Sequence, residues 1–259
     1  MDQAIGVFDS GIGGLTVANA ILERLPQESI LYFADTAHIP YGQKSLSSIR
    51  QYSLDITEQL LQLQCKAIVV ACNTASGAAL SYLRDCFPDV IIVGMEPAVK
   101  PAAEATHSGV VGILATAGTF KSERYAQLME RYTAGIRVLQ NPCVGLVELI
   151  EAGETESPAT EALLRSILDP MLESGADTFV LGCTHYPFVR PLISRLLPET
   201  AVIIDPAPAV ARQLDRRLSD AGLKNQSLDP PEYRFHASGP QLSLERALAR
   251  YWPADFSIF

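Results

Sequence analysis

No stretch of the 259-residue chain approaches the ~20 consecutive apolar residues that cross a bilayer. A membrane-spanning helix is therefore not expected. Basic residues are scarce: 20 Lys and Arg stand against 29 Asp and Glu, for a net charge of -9. Nucleic-acid binders neutralise phosphates with a basic face, so that class is disfavoured, as is docking on an anionic membrane. No Gly-Lys-Ser or Gly-Lys-Thr triplet occurs, which removes a P-loop. The five cysteines, Cys65, Cys72, Cys86, Cys143 and Cys183, include no C-x-x-C pair. Their odd number does not suit a disulfide framework, and they read as free thiols in a reducing cytosol. His38, His107, His185 and His236 form no metal-ligand cluster. Only five lysines exist, none at a strand end in a glycine-rich turn, so no pyridoxal-binding lysine is evident. The start, MDQAIGVFDSG, lacks a basic region followed by a long apolar stretch. No signal peptide is read there, and the expected location is cytoplasmic.

What the chain does have is rhythm. Ala4 to Phe8, Ile30 to Ala34, Ala67 to Ala71 and Val90 to Gly94 read as buried strands. Between them, apolar residues recur at three- and four-residue steps. Ile49, Tyr52, Ile56, Leu60 and Leu63 mark one helical face within Ser45 to Leu63. Strands alternating with helices predict an α/β fold, a mostly parallel sheet flanked by helices. Pro97 and Pro101 mark a break. The rhythm then restarts with strands at Val110 to Leu114, Ile136 to Gln140, Thr178 to Leu181 and Val202 to Ile204. Helices are read at Glu123 to Tyr132, Val144 to Glu151, Thr160 to Glu173, Val210 to Ser219 and Leu242 to Tyr251, with an irregular stretch before the last.

The restart reads as an internal repeat. Shifted by 111 residues, Val69 to Ser76 falls on Val180 to Pro187, and Cys72 lands on Cys183. Seven of 34 positions agree between 66–99 and 177–210. Two related α/β halves follow. Each thiol should lie just past the C-terminal end of a strand, beside a helix N-terminus. Ligands bind there in open α/β sheets, and thiol pKa is lowered there. Facing halves would present the two thiols to one cleft from opposite sides. Two weak acids flanking a ligand suit removal of a proton from one face of a carbon and its return to the other. Cys65, Cys86 and Cys143 lack this context and read as structural. The turn Gly11 to Gly14 follows a strand, but Thr16 stands where a dinucleotide fingerprint wants Gly or Ala, so it reads as a tight turn presenting Asp9 and Ser10. His185, two residues past Cys183, could orient or polarise that thiol.

FDSGIGG at Phe8 to Gly14, PYG at Pro40 to Gly42, ACNTAS at Ala71 to Ser76, ATAGTFKSERY at Ala115 to Tyr125 and GCTHYP at Gly182 to Pro187, in this order, resemble glutamate racemases of the aspartate/glutamate racemase superfamily. The resemblance implies an isomerase that interconverts L- and D-glutamate without a cofactor and supplies D-glutamate for peptidoglycan. It implies two pseudo-symmetric α/β domains, residues 1–97 with 208–259 and residues 98–207, and an active site in the cleft between them. Carried over by position, Cys72 and Cys183 are the acid/base residues; the first takes the proton from D-glutamate, the second from L-glutamate. Asp9 assists Cys72, His185 assists Cys183, and Glu148 matches a carboxylate near the site. Asp9, Ser10, Pro40, Tyr41, Gly42, Asn73, Thr74, Thr116, Thr119, Thr184 and His185 match substrate-contact positions. The implied partner is the small-molecule substrate glutamate, with no nucleic acid, no membrane and no metal; the sequence leaves room for a homodimer. Two other readings of the thiols stay open: a racemase of a related acid such as aspartate, and a thiol-redox protein pairing Cys72 with Cys183.

Overall fold

The run Ile5–Asp9 is buried at all five positions, as a parallel strand between two helix layers requires. In the computed structural model, which describes residues 3–227 and 229–259, that run is strand β1. The others follow in chain order: β2 (Ile30–Ala34), β3 (Ala67–Val70), β4 (Ile91–Gly94), β5 (Val110–Leu114), β6 (Arg137–Asn141), β7 (Thr178–Leu181), β8 (Val202–Ile204), β9 (Tyr233–Ala237) and β10 (Ser257–Ile258). The chain forms two compact units, Met1–Met95 with Ala207–Phe259, and Glu96–Pro206.

The first unit holds a six-stranded sheet in the order β10-β9-β2-β1-β3-β4, and the second a four-stranded sheet in the order β6-β5-β7-β8. Every pairing is parallel. Numbered from its own first strand, each unit has the core order second, first, third, fourth. This is the structural form of the repeat in the sequence. It puts β1 against β3 and β5 against β7, and the two thiol-bearing segments leave β3 and β7.

In the first unit, helix Leu15–Arg24 packs against Ala207–Asp220, and Leu46–Gln62 against Asn73–Cys86. Leu31, Phe33, Ile68 and Val70 turn toward Ile49, Ile56, Leu60 and Leu83 of the second pair to form one core. Burying such side chains stabilises the fold by about 1.5–3 kcal/mol each relative to exposure. Ser45 starts Leu46–Gln62 by accepting the amide of Ser48 at 3.1 Å. In the second unit, Glu123–Tyr132 and Pro158–Glu173 are the longer helices.

The proline break is resolved differently from the sequence reading. Helix Val99–Ala105 begins there, with Pro101 as its third residue. Helix Arg190–Leu196 likewise carries Pro191 at its start. A first-turn proline lacks only an N–H that the helix leaves unpaired anyway. The irregular stretch before the last helix contains β9, which lies beside β2 in register Ile30↔Tyr233 to Ala34↔Ala237. Its residues alternate between buried and half-buried, so its apolar run is broken by Arg234 and His236. No helix among the described residues is long and apolar enough to cross a membrane.

Candidate active site

Parallel pairing of β1 with β3 brings their C-terminal ends together: Phe8 is level with Val70, and the amide of Ala71 donates to Phe8 O at 2.8 Å. Asp9 ends β1 with no solvent exposure. The turn that follows folds back on its carboxylate, where Oδ2 accepts the amides of Gly14 at 2.9 Å and Gly11 at 3.3 Å. Gly14 is required by space: a Cβ there would lie 2.6 Å from Asp9 Cβ and 2.7 Å from the Tyr32 hydroxyl oxygen. That hydroxyl donates to Gly11 O at 2.7 Å and pins the turn.

Cys72 stands directly before helix Asn73–Cys86 and caps it, its Sγ accepting the amide of Ala75 at 3.4 Å. The thiol is buried and directed at Ser10 Oγ, 3.8 Å away. The turn after β1 and the helix start after β3 thus meet at one sulfur, at the N-terminal end of that helix. Asn73 is buried beside it, and neither its amide oxygen nor its amide nitrogen has a hydrogen-bond partner among the described residues. Buried amides are nearly always satisfied; this one is an exception, and it stands next to the Cys72 thiol. Thr74 is buried alongside. Tyr41, in the short turn Tyr41–Gln43, packs in the same core as Cys72. Its hydroxyl donates to Asp35 Oδ2 at 2.6 Å. Burial pushes its pKa well up, and the nearby charges of Asp35, Cys72 and Asp9 add to the rise, so Tyr41 stays a neutral donor.

The second unit repeats this plan with different chemistry. Leu114 of β5 is level with Leu181 of β7, and the amide of Gly182 donates to Leu114 O at 2.6 Å. Gly182 must be glycine, because a Cβ would lie 2.8 Å from Ala115 Cβ and 2.9 Å from Leu114 O. That close approach sets Cys183, buried and 3.8 Å from Nδ1 of His185. The other ring nitrogen of His185, Nε2, is 2.7 Å from Glu151 Oε1. Burial alone would lower the His185 pKa, but its bonds to Cys183 and Glu151 outweigh burial and raise it well above 6.5. Thiol, imidazole and carboxylate form a continuous relay. Thr184 is buried beside it. Thr116, following β5, starts helix Ala117–Phe120 by accepting the Thr119 amide at 3.4 Å, and the two hydroxyl oxygens lie 3.1 Å apart.

The carboxylate of this relay is not the one singled out in the sequence. Glu148 and Glu151 both lie on helix Leu146–Glu151, but Glu148 is exposed in its first turn and Glu151, its last residue, reaches His185. The sequence reading began this helix at Val144; it begins at Leu146, after Gly145 in the left-handed conformation. Glu-x-x-Glu spacing marks both residues as candidates without choosing between them. The other cysteines differ in kind. Burial pushes Cys65 and Cys143 up to about 12, and Cys86 is exposed. Among the described residues, no three His, Cys, Asp or Glu side chains converge on a metal position.

Comparison with known proteins fits this arrangement. Residues 5–214 match the Asp/Glu/Hydantoin racemase family. A glutamate racemase of Pseudomonas aeruginosa is 51% identical over 257 residues, covering 98% of this chain and 96% of that protein. The crystal structure of a glutamate racemase from Bacillus anthracis superposes with a TM-score of 0.89 at 34% identity, covering 99% of this chain and 96% of the other. That of the Escherichia coli glutamate racemase, in complex with L-glutamate and an activator, gives 0.87 at 34% identity, covering 100% and 98%. The chain belongs to the Asp/Glu/Hydantoin racemase family, among its glutamate racemases, and is an isomerase.

Proposed function

We propose that the chain interconverts L- and D-glutamate by two-base proton transfer, with Cys72 and Cys183 as the acid/base pair and no cofactor. The observation that carries this reading is the recurrence of one plan. The third strand of each unit ends in a buried thiol, and each thiol has its own polar support: Ser10 and the Asp9-centred turn for Cys72, the His185–Glu151 relay for Cys183. The L-glutamate held by the Escherichia coli protein supports the choice of substrate.

Starting from L-glutamate, the Cys183 thiolate takes the α-proton, and the C–H electron pair passes into the α-carboxylate as an enediolate. The Cys72 thiol then gives a proton to the opposite face, leaving Cys72 as thiolate and D-glutamate as product. The reverse direction exchanges the roles. The α-proton is weakly acidic, so the developing charge needs preorganised donors. The unsatisfied Asn73 amide and the hydroxyls of Thr74 and Thr184 are the groups we assign to it. Ser10 and the Pro40–Gly42 turn, with Thr116 and Thr119, are assigned to the rest of the substrate. His185 assists Cys183, and Glu151 supports His185. The two compact units serve as the two domains of the enzyme, and its product supplies peptidoglycan synthesis in the cytoplasm.

The test is circular dichroism of L-glutamate mixed with purified protein and no added cofactor. The signal should decay to zero as the racemate forms. A flat signal with glutamate, alongside decay with L-aspartate, would transfer the assignment to the shorter acid.

A further inference from the structure

Outside the two thiol sites, one buried carboxylate gathers three side-chain donors from two distant parts of the chain. Asp35 follows β2 and is 2% exposed. Its Oδ2 accepts the Tyr41 hydroxyl at 2.6 Å, and its Oδ1 accepts the Ser238 hydroxyl at 2.7 Å. Nδ1 of His38 lies 2.9 Å from both oxygens. A carboxylate only accepts, so the proton of this contact sits on Nδ1. The His38 ring is itself fixed, stacked on Tyr52 of helix Leu46–Gln62 with centroids 3.9 Å apart and planes 14° from parallel. Ser238, directly after β9, does more than donate to Asp35. Its hydroxyl accepts the amide of Ala37 at 3.0 Å, and the amide of Gly239 reaches Thr36 Oγ1 at 3.0 Å. The amide of Asp35 in turn donates to Asp9 O at 2.9 Å, the residue that organises the turn beside Cys72.

We infer that His38 and Ser238 are positioning residues: through Asp35 they fix Tyr41, and with it the Pro40–Gly42 turn, in the place where the substrate is gripped. The inference rests on the proposed racemase reading. It gives a role to the C-terminal segment, which carries no recognisable motif, and to a histidine whose side chain is 40% exposed and so adds little to the core. A packing role would show as loss of global stability. Positioning predicts something narrower. The chemistry at Cys72 and Cys183 proceeds once substrate is bound, but the turn must first be ordered, so the effect falls on KM.

The experiment uses the full chain and four substitutions. His38→Phe keeps a flat ring on Tyr52 but has no Nδ1–H. His38→Asn keeps a donor near the Nδ1 position. Ser238→Ala removes the second hydroxyl, and Tyr41→Phe removes the group through which both act. Glutamate kinetics in both directions are combined with hydrogen exchange of peptides spanning residues 35–43. His38→Phe and Ser238→Ala should each raise KM roughly tenfold, the loss of one hydrogen bond to a charged acceptor, with kcat within about twofold of the parent. His38→Asn should restore most of the affinity. In a Tyr41→Phe background His38→Phe should add little further, and exchange should quicken in 35–43 only. An unchanged KM in His38→Phe and Ser238→Ala, an additive double variant, or exchange that rises across the whole chain would overturn the inference while leaving the racemase reading intact. If the parent chain does not racemise glutamate, the racemase reading fails by itself. The exchange data then decide: unaltered protection of 35–43 in both variants overturns the assignment of His38 and Ser238, and local loss upholds it.

Discussion

Glu151→Gln isolates one charge from an otherwise intact relay. Gln has the same shape, its amide oxygen still accepts from Nε2 of His185, and the surrounding packing is retained. What disappears is the negative charge 2.7 Å from the imidazole. Hydrogen bonds to charged partners contribute about 1.5–3 kcal/mol, against about 0.5–1.5 for neutral ones. Only the difference, about 1–2 kcal/mol, is lost, because Gln keeps a neutral hydrogen bond; felt in the transition state, it lowers kcat/KM roughly 5- to 30-fold. L- and D-glutamate are mirror images with equal free energy in water, so kcat/KM must fall by the same factor in both directions, whatever happens to each kcat. The pH dependence carries a sign. Glu151 helps hold the His185 pKa above 6.5, so the imidazole beside Cys183 stays protonated further into the alkaline range. In the variant the alkaline limb of kcat/KM should move to lower pH. Stability follows the same linkage. A group whose folded pKa is raised contributes fully below its unfolded value, near 6.5, and the contribution is lost as pH rises through the folded value. The melting temperatures of parent and variant should therefore differ most below about pH 6.5 and converge at alkaline pH. Racemisation followed by polarimetry in both directions between pH 6 and 10, with thermal melts across the same range, checks both. Activity within twofold of the parent with an unmoved alkaline limb would reduce the His185–Glu151 contact to packing.

Cys72→Ala and Cys183→Ala should each abolish racemisation, since each turnover needs a base and an acid, whereas Cys65→Ala and Cys143→Ala should retain it in folded protein; kinetics on all four, checked for folding by circular dichroism, test the assignment. In heavy water, D-glutamate formed early from L-glutamate should carry deuterium at the α-carbon while the remaining L-glutamate stays protiated, because the proton removed by one thiol is not the one returned by the other; early-time mass spectrometry of the separated enantiomers detects this, and substantial protium in the first product counts against two bases. Asn73→Ala should separate stability from activity. It deletes two buried, unsatisfied polar atoms, so the melting temperature should hold or rise by a few degrees while turnover drops about 100-fold or more, the usual loss when a donor to developing charge is removed.

The thiols were legible because each follows an apolar run that only a buried parallel strand accommodates, and because the repeat aligns them. Asp9 and the glycines after it were legible for the same reason, standing at the end of β1. Legibility stopped where phase or distance decided the outcome. Glu148 and Glu151 share a helix face in the sequence, and spacing alone does not say which of the two carboxylates meets His185; that depends on where the helix is placed against it. Helices Val99–Ala105 and Arg190–Leu196 were obscured by prolines that sit harmlessly in their first turns. The cluster of His38 and Asp35 has no local signature, because Ser238, which completes it, lies 203 positions from Asp35, and no local period reports such a contact.

The order of strands in the first sheet has a consequence for how the chain is made. Protein synthesis runs from the N-terminus, and domains tend to fold as they emerge. When residue 206 leaves the ribosome, every strand of the second sheet exists, and that unit is one uninterrupted segment. The first sheet at that moment still lacks β9, so Ile30–Ala34, buried at every position in the finished protein, has an open edge. An unpaired apolar strand edge is a template for association with other chains. The segment translated first is thus the one that waits longest for its neighbour, and slow translation past residue 206 or cleavage before Tyr233 would lengthen the time that edge is open to aggregation or to a chaperone.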